Sequence, residues 1–252
     1  MSPSREQQAL PGYEWVAPPA DDAVCRRLAE GLGLTPLSSQ ILYGRGIRDV
    51  DEAERFLSAS LQQMRSPALF GGMGRAVDRL LKAIVKKERV LIYGDYDVDG
   101  LTSTAILVHF LRHAGLDPIY HVPDRLQEGY GFHPEWVRTF SEKGVQLIVT
   151  VDCGITSHDS VQAASEAGID VIITDHHECS EDIPPALAVI NPKIPGESFP
   201  FRDLAGVGVA FYVVVALRGR MREQGLWGAV EEPNLRAYLD LVALGTLADM
   251  VP

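Results

Sequence analysis

The stretch Arg89-Val90-Leu91-Ile92-Tyr93-Gly94-Asp95-Tyr96-Asp97-Val98-Asp99-Gly100 decides the fold. Four apolar or aromatic residues run together, Gly94 closes the run, and aspartates then arrive at alternating positions. A short β-rich run bounded by glycine is the pattern of a strand buried inside a parallel sheet. The helical pattern from Leu101 to Ala114 completes a strand–turn–helix unit. Open α/β sheets hold ligands beyond the carboxyl ends of their strands. Three carboxylates crowded at such an end repel one another unless a cation neutralises them, so the stretch predicts a divalent metal site.

The same chemistry recurs further along. Gln146 to Val151 reads as a buried strand ending at Asp152-Cys153-Gly154. Val171 to Thr174 reads as another, ending at Asp175-His176-His177. Pro118 to Val122 and Ala188 to Ile190 complete the set, the latter followed by Asn191. Helical patterns lie between strands, over Pro134 to Lys143 and Ser157 to Ala167. This alternation predicts an α/β fold, a mainly parallel sheet flanked by helices. Strand ends of one sheet share an edge, so the three acidic sets converge. Carboxylates favour Mg²⁺ or Ca²⁺, and an added imidazole shifts preference toward Mn²⁺. So many carboxylates predict two ions about 3.5–4 Å apart bridged by one aspartate, a geometry for in-line attack on a phosphorus ester.

Two other readings of the opening stretch fail. Asp95-x-Asp97-x-Asp99-Gly100 matches half of an EF-hand loop, but the twelfth position is Ile106 where that loop needs Glu, and a strand precedes it instead of a helix. Asp97-Val98-Asp99-Gly100 also resembles the start of a haloacid-dehalogenase-type phosphatase, which has Thr or Val where Leu101 stands.

Outward from the core, residues 1–72 read as an N-terminal extension, partly disordered and partly helical. Met1 to Asp22 is polar and carries Pro3, Pro11, Pro18 and Pro19. Short helices are predicted over Ala23 to Leu32, Ser38 to Tyr43 and Asp51 to Leu57, the last capped by Asp51 with Glu54 at capping-box spacing. Leu61 to Gly72 reads as an irregular connector. The catalytic domain is placed at 73–252, opening with an amphipathic helix over Met73 to Lys86. Two further helices are expected, from Leu204 to about Glu223 and over Leu235 to Leu247. The small residues of Leu204 to Ala210 suit close packing or a phosphate at the helix start.

Hydrophobic residues make up 46% of the chain, enough for a sizeable core, and no run approaches a membrane span. With no apolar signal core at the N-terminus, a cytoplasmic location is expected. Cys25, Cys153 and Cys179 have no zinc spacing and read as reduced thiols. The net charge of −11 argues against a generally basic nucleic-acid coat, although a carboxylate metal site contributes to it. In the loop Pro123 to Phe132, Arg125, Tyr130 and Gly131 could hold a phosphate and stack a base or sugar. His133 is placed near substrate, whereas His109 and His113 read as a plain helical surface.

Four ordered motifs then identify a family: Gly-Asp-Tyr-Asp-Val-Asp-Gly (94–100), Val-Asp-Cys-Gly (151–154), Thr-Asp-His-His-Glu (174–178) and Gly-Thr-Leu-Ala-Asp-Met-Val (245–251). They resemble the motifs of the DHH phosphoesterase superfamily. Arg125 to Gly131, Leu204 to Ala210 and the N-terminal segment are similar, within it, to the RecJ family of single-stranded-DNA exonucleases. The resemblance implies 5′→3′ removal of nucleotides from single-stranded DNA in repair and recombination, with Mn²⁺ or Mg²⁺. It implies Asp97, Asp99, Asp152, His176 and Asp249 as metal ligands, with Asp152 or Asp99 bridging. His177 would act beside the scissile phosphate, Asp95 and Asp175 would orient ligands, and Arg125 would contact the DNA backbone. Asp249 enters from the resemblance alone.

One departure is Tyr93, where many superfamily members carry a metal-binding His, which would weaken one metal. RecJ proteins also continue into a second cleft domain and an OB fold, so the chain reads as their N-terminal catalytic portion. The resemblance leaves a helicase or a single-strand-binding protein as a partner. A small-substrate phosphoesterase, acting on short oligonucleotides, cyclic dinucleotides or pyrophosphate, is the alternative function. A non-catalytic DHH scaffold is the third, and it is disfavoured because all five ligand positions are filled.

Overall fold

Val90–Tyr93 forms β1, and every strand paired in its sheet runs parallel to it. The others are β2 (Ile119–His121), β3 (Leu147–Val151), β4 (Asp170–Thr174) and β5 (Ala188–Ile190), in the order β2-β1-β3-β4-β5. The chain steps from β1 to one neighbour, then crosses back to build the rest on the other side. The direction of winding therefore reverses between β1 and β3, where an open α/β sheet forms its crevice. This computed structural model describes residues 20–58, 60–228 and 230–251. The chain divides into two compact units, Met1–Met64 and Arg65–Pro252.

In the first unit α1 (Asp22–Leu32), α2 (Pro36–Gly44) and α3 (Val50–Leu57) enclose a small core of Leu28, Leu42, Ile47 and Ala53. Asp21 caps α1, and Gly33 closes it in the left-handed conformation. The cap of α3 differs from the expected Asp51. Asp49 is the cap, its Oδ1 accepting the N–H groups of Asp51 and Glu52 at 3.0 and 3.2 Å. The expectation of irregular chain before Asp22 falls largely on residues 1–19, outside the described residues.

The second unit adds α4 (Met73–Lys86), α5 (Val98–His113), α6 (Pro134–Glu142), α7 (His158–Glu166), α8 (Gly206–Glu223) and α9 (Leu239–Ala248). Strand side chains alternate between faces. Leu91, Tyr93, Ile148, Val171 and Ile173 pack with Val137 and Phe140 of α6 and Val161 and Ala164 of α7. The helices α4, α5 and α8 meet the sheet from the other face. The connector Leu61 to Gly72 is more ordered than its sequence predicts. It holds 3₁₀ turns at Leu61–Gln63 and Pro67–Leu69, and Phe70, fully buried, stacks on Phe199 at 4.0 Å and meets Tyr212 edge-on.

Beneath the strands, buried Arg79 of α4 ties down the opposite end of the sheet. It pairs with Glu88 at 2.7 Å and with Asp170 at 2.5 Å, and donates to the Gln146 carbonyl at 3.2 Å. His109 and His113 lie on the surface of α5, as expected, and both are hydrogen-bonded there. His109 Nδ1 lies 2.9 Å from the Tyr238 hydroxyl and His113 Nε2 lies 2.6 Å from the Glu231 carbonyl, which fastens the segment before α9 to α5.

Candidate metal centre

Strand register assembles the site. Tyr93 pairs with Thr150, Val151 with Thr174, and Thr174 with Ile190. Continued past the strand ends, this register sets Asp95, Asp152, Asp175 and Asn191 in one row across four neighbouring strands. The row is held by the ladder itself, because Asp152 N–H donates to Thr174 O and Asp175 N–H to Ile190 O, both at 3.0 Å.

Each acid in the row has a different environment. Asp152 is 1% exposed, and its backbone adopts φ +60°, a conformation rare for a residue with a side chain. Its Oδ1 lies 3.1 Å from His176 Nε2, yet neither atom makes a hydrogen bond of good geometry. Burial, followed by the charges of Asp99 and Asp97, pushes the Asp152 carboxyl up to about 10. Asp95 is also buried, with Oδ1 unpartnered, and burial and Asp97 raise its pKa.

Asp175 is the opposite case. Burial alone would raise it, but hydrogen bonds from His177 and from the Ile155 N–H hold it below the usual carboxylate range. Its Oδ1 accepts the His176 N–H at 2.7 Å, the His177 N–H at 3.1 Å and His177 Nδ1 at 2.7 Å. Its Oδ2 accepts the Ile155 N–H at 2.9 Å. The Asp175 bond raises the His177 pKa, against burial. Asp175 therefore orients the ring of His177, and it holds His176 only through the backbone. The His177 carbonyl is held in turn by Asn191, whose Nδ2 donates to it at 3.0 Å.

Two helix starts complete the cluster. Asp97 caps α5, its Oδ1 accepting the Gly100 N–H at 2.9 Å. Asp99, 1% exposed in the first turn of α5, accepts the Gly206 N–H on Oδ2 at 2.6 Å and the Val207 N–H on Oδ1 at 2.8 Å. The start of α8 thus receives a carboxylate of this chain where the sequence allowed a phosphate, and the helix dipole favours that charge. Burial raises the Asp99 pKa and these two N–H groups oppose the rise. Gly206 is required by the approach: a Cβ there would lie 2.6 Å from Asp152 Oδ1. Asp249, at the end of α9, brings Oδ2 to 3.6 Å from His176 Nε2, and Asp99 Oδ2 lies 3.7 Å from the same nitrogen.

Among the described residues, three overlapping groups bring their ligand atoms within 4.8 Å of one another: Asp95/Asp97/Asp152, Asp152/His176/His177 and Asp99/His176/Asp249. Asp152 and His176 each belong to two groups. Buried atoms of Asp95, Asp152 and His176 have no hydrogen-bond partner, an arrangement that costs free energy unless a cation lies among them. The residues present fit divalent metal ions. All five expected ligands lie in this cluster, and Asp95, which the resemblance made an orienter of ligands, joins it with a free oxygen. Tyr93 stands apart: its fully buried ring faces the core, and its hydroxyl donates to the Gly131 carbonyl at 3.1 Å. Tyr130 lies at the rim with its hydroxyl 3.2 Å from His177 Nδ1, and exposed Arg125 stacks on Tyr96 at 5.4 Å. His133 begins α6.

A family model described as "DHH family, N-terminal domain" matches residues 89–246. The chain belongs to the DHH family. Among its curated relatives, the single-stranded-DNA-specific exonuclease RecJ of Bacillus subtilis (strain 168) is 40% identical over 238 residues, covering 94% of this chain and 29% of the relative. RecJ of Escherichia coli (strain K12) is 45% identical over 222 residues, 87% of this chain and 38% of the relative. The DHH chain therefore spans 29–38% of the length of these relatives. Among solved structures, RecJ in complex with Mn²⁺ from Thermus thermophilus superposes with a TM-score of 0.73 at 32% identity, over 92% of this chain and 31% of that one. An exonuclease RecJ bound to manganese gives 0.63 at 38% identity, over 73% and 44%. No described helix of this DHH chain is long and apolar enough to cross a membrane.

Proposed function

We propose that this chain carries the catalytic centre of a metal-dependent 5′→3′ exonuclease for single-stranded DNA, acting in the cytoplasm on strands supplied by a helicase. Residues 73–252 would form the catalytic domain, behind an extension over residues 1–72. The observation that carries the reading is the sharing of Asp152 and His176 between acidic groups whose buried oxygens and nitrogens lack partners. Asp95, Asp97 and Asp152 would hold one Mn²⁺ or Mg²⁺ ion, and Asp99, Asp152, His176 and Asp249 the other. Bound ions supply Lewis-acid neutralisation of the phosphate oxygens and lower the pKa of an attacking water. The relatives named RecJ, and their structures with Mn²⁺, support the substrate class and the metal.

The chain's own residues then divide the work. Asp175 accepts the proton of His177 Nδ1, which leaves Nε2 as the atom that exchanges a proton at the leaving oxygen. Asp99 keeps its position because two α8 N–H groups hold both of its oxygens. Arg125, Tyr130 and the Gly131 backbone would bind the strand beside the scissile phosphate.

The test is digestion of a 5′-phosphorylated single strand labelled at its 3′ end, with Mn²⁺, by the wild type and by Asp152→Ala. Progressive shortening by the wild type alone is expected. Cleavage confined to a dinucleotide would favour the small-substrate alternative, and inactivity without metal binding would sink the enzyme reading.

A further inference from the structure

The loop between β2 and α6 starts at one edge of the sheet, and its Tyr130 reaches His177 beyond β4. Between those strands lie β1 and β3, so the loop passes in front of the ends that carry Asp95, Asp97 and Asp152. A span of three strand spacings is roughly 14 Å. An unanchored loop of this length would lose that reach to conformational entropy.

It is anchored at three points. His121, at the end of β2, donates from Nε2 to Glu128 Oε2 at 2.8 Å, and its ring is fixed against Trp136 at 4.5 Å and Tyr93 at 5.2 Å. Glu128 Oε1 accepts the Asp124 N–H at 2.9 Å, while Asp124 Oδ1 accepts the Leu126 and Gln127 N–H groups at 2.8 and 3.0 Å. This closes residues 124–128 on themselves. Past Tyr130, the buried Tyr93 hydroxyl donates to Gly131 O at 3.1 Å and Ser160 Oγ donates to Phe132 O at 2.5 Å. Tyr130 sits between these anchors, flanked by Gly129 and Gly131 in positive-φ conformations (+80° and +100°) that turn the chain sharply on either side of it.

We propose that His121, Glu128 and Tyr93 are positioning residues, a clamp that holds Tyr130 over His177 and presents Arg125 to the nucleic-acid strand. The proposal rests on the function given above for Tyr130 and Arg125. None of the three is placed among the metal ligands, and they act on substrate only through the loop. The clamp thus gives the buried Tyr93 hydroxyl a task at the site that is not metal binding.

Two measurements test the clamp. The first needs no catalysis. Limited trypsin digestion of the metal-free chain reads how often the loop opens at Arg125. Tyr93→Phe and Glu128→Ala are expected to speed cleavage after Arg125 about tenfold, the effect of losing one or two hydrogen bonds worth about 1.4 kcal/mol in all. Glu128→Gln, which keeps one acceptor oxygen, should fall between Glu128→Ala and the wild type. Unchanged cleavage at Arg125, or an equal rise at every site, overturns the clamp.

The second uses Mn²⁺ and two substrates, a single-stranded oligonucleotide and bis(para-nitrophenyl) phosphate, which needs the metals but spans no loop. The clamp variants should raise KM for the oligonucleotide about tenfold, leave kcat within about twofold, and leave the small diester unaffected. Combined with Tyr130→Ala and Arg125→Ala together, Glu128→Ala should cost nothing further. Equal losses on both substrates, or an additive loss from Glu128→Ala once both Tyr130 and Arg125 are gone, overturn the proposal. If the wild type cleaves neither substrate, the proposed function fails, and the trypsin measurement alone decides the clamp.

Discussion

Asp152 Oδ1 and His176 Nε2 lie 3.1 Å apart, both buried, with no well-formed hydrogen bond between them. Their spacing is set by the surrounding chain, which holds both atoms toward a common point. An ordinary carboxylate titrates near pH 4, whereas burial and the neighbouring aspartates push Asp152 up to about 10. Between those values the metal-free folded chain keeps a proton that the unfolded chain releases. Stability from this group therefore falls as pH rises, and below about pH 4 it contributes nothing either way. Asp152→Asn removes the penalty and tolerates the positive φ. The metal-free variant should melt above the wild type, by a margin that grows between about pH 5 and pH 8. Each kcal/mol corresponds to about 2–4 °C in a chain of this size. Added Mn²⁺ should raise the wild-type Tm and leave the variant's nearly unchanged. Parallel melting curves across that pH range would refute the account.

Gly206→Ala tests the contact between α8 and the acids. The added Cβ meets Asp152 Oδ1 at 2.6 Å and must displace it. Mn²⁺ affinity by calorimetry should drop about 10–100-fold, the usual cost of disturbing the support around a ligand. Affinity within twofold of wild type would show that the carboxylate has room to move.

His177 should set an alkaline limb in the rate profile. Its pKa is raised by the Asp175 bond, so the protonated form persists above the ordinary histidine range, and activity that uses it as an acid falls as pH rises through that raised value. Asp175→Asn removes the charge and should move the limb to lower pH. His177→Ala should lower kcat by about 10²–10⁴ with Mn²⁺ binding retained. A limb that stays in place in Asp175→Asn would exclude His177 as its source.

At the other end of the sheet, Arg79→Ala should destabilise without touching the site. It strands buried Glu88, which costs about 3–5 kcal/mol and lowers Tm accordingly. Below the new Tm, Mn²⁺ affinity should equal the wild type's. A large loss of affinity in the folded variant would mean that the two ends are coupled.

Much of this arrangement is legible in the chain because β-rich runs carry their chemistry at their ends. Val90 to Tyr93, Leu147 to Val151 and Asp170 to Thr174 are strands, and the parallel register then brings Asp95, Asp152 and Asp175 level. What escaped reading depends on tertiary contacts between distant segments. Nothing local marks Gly206 and Val207 as donors to Asp99, 107 and 108 residues away in sequence. Asp249 sits on a helix whose position is set by packing on α5 and α8, so only a family resemblance could nominate it. The difference between Asp95, with a free oxygen, and Asp175, with four donors, is likewise a matter of which N–H groups surround each carboxylate. The capping-box spacing pointed to Asp51, but the cap is Asp49, whose extended backbone lets its side chain accept the Asp51 and Glu52 N–H groups.

The bond between Asp99 and the start of α8 also orders events during synthesis. A ribosome adds about 5–20 residues per second. Asp99 therefore leaves the peptidyl-transfer centre roughly 5–20 s before its two amide partners exist, and Asp249 follows later still. Through that interval the nascent polypeptide holds its first acids without the groups that fix them. The acidic cluster is therefore incomplete on the ribosome, and it closes only once α8 and Asp249 have emerged and docked.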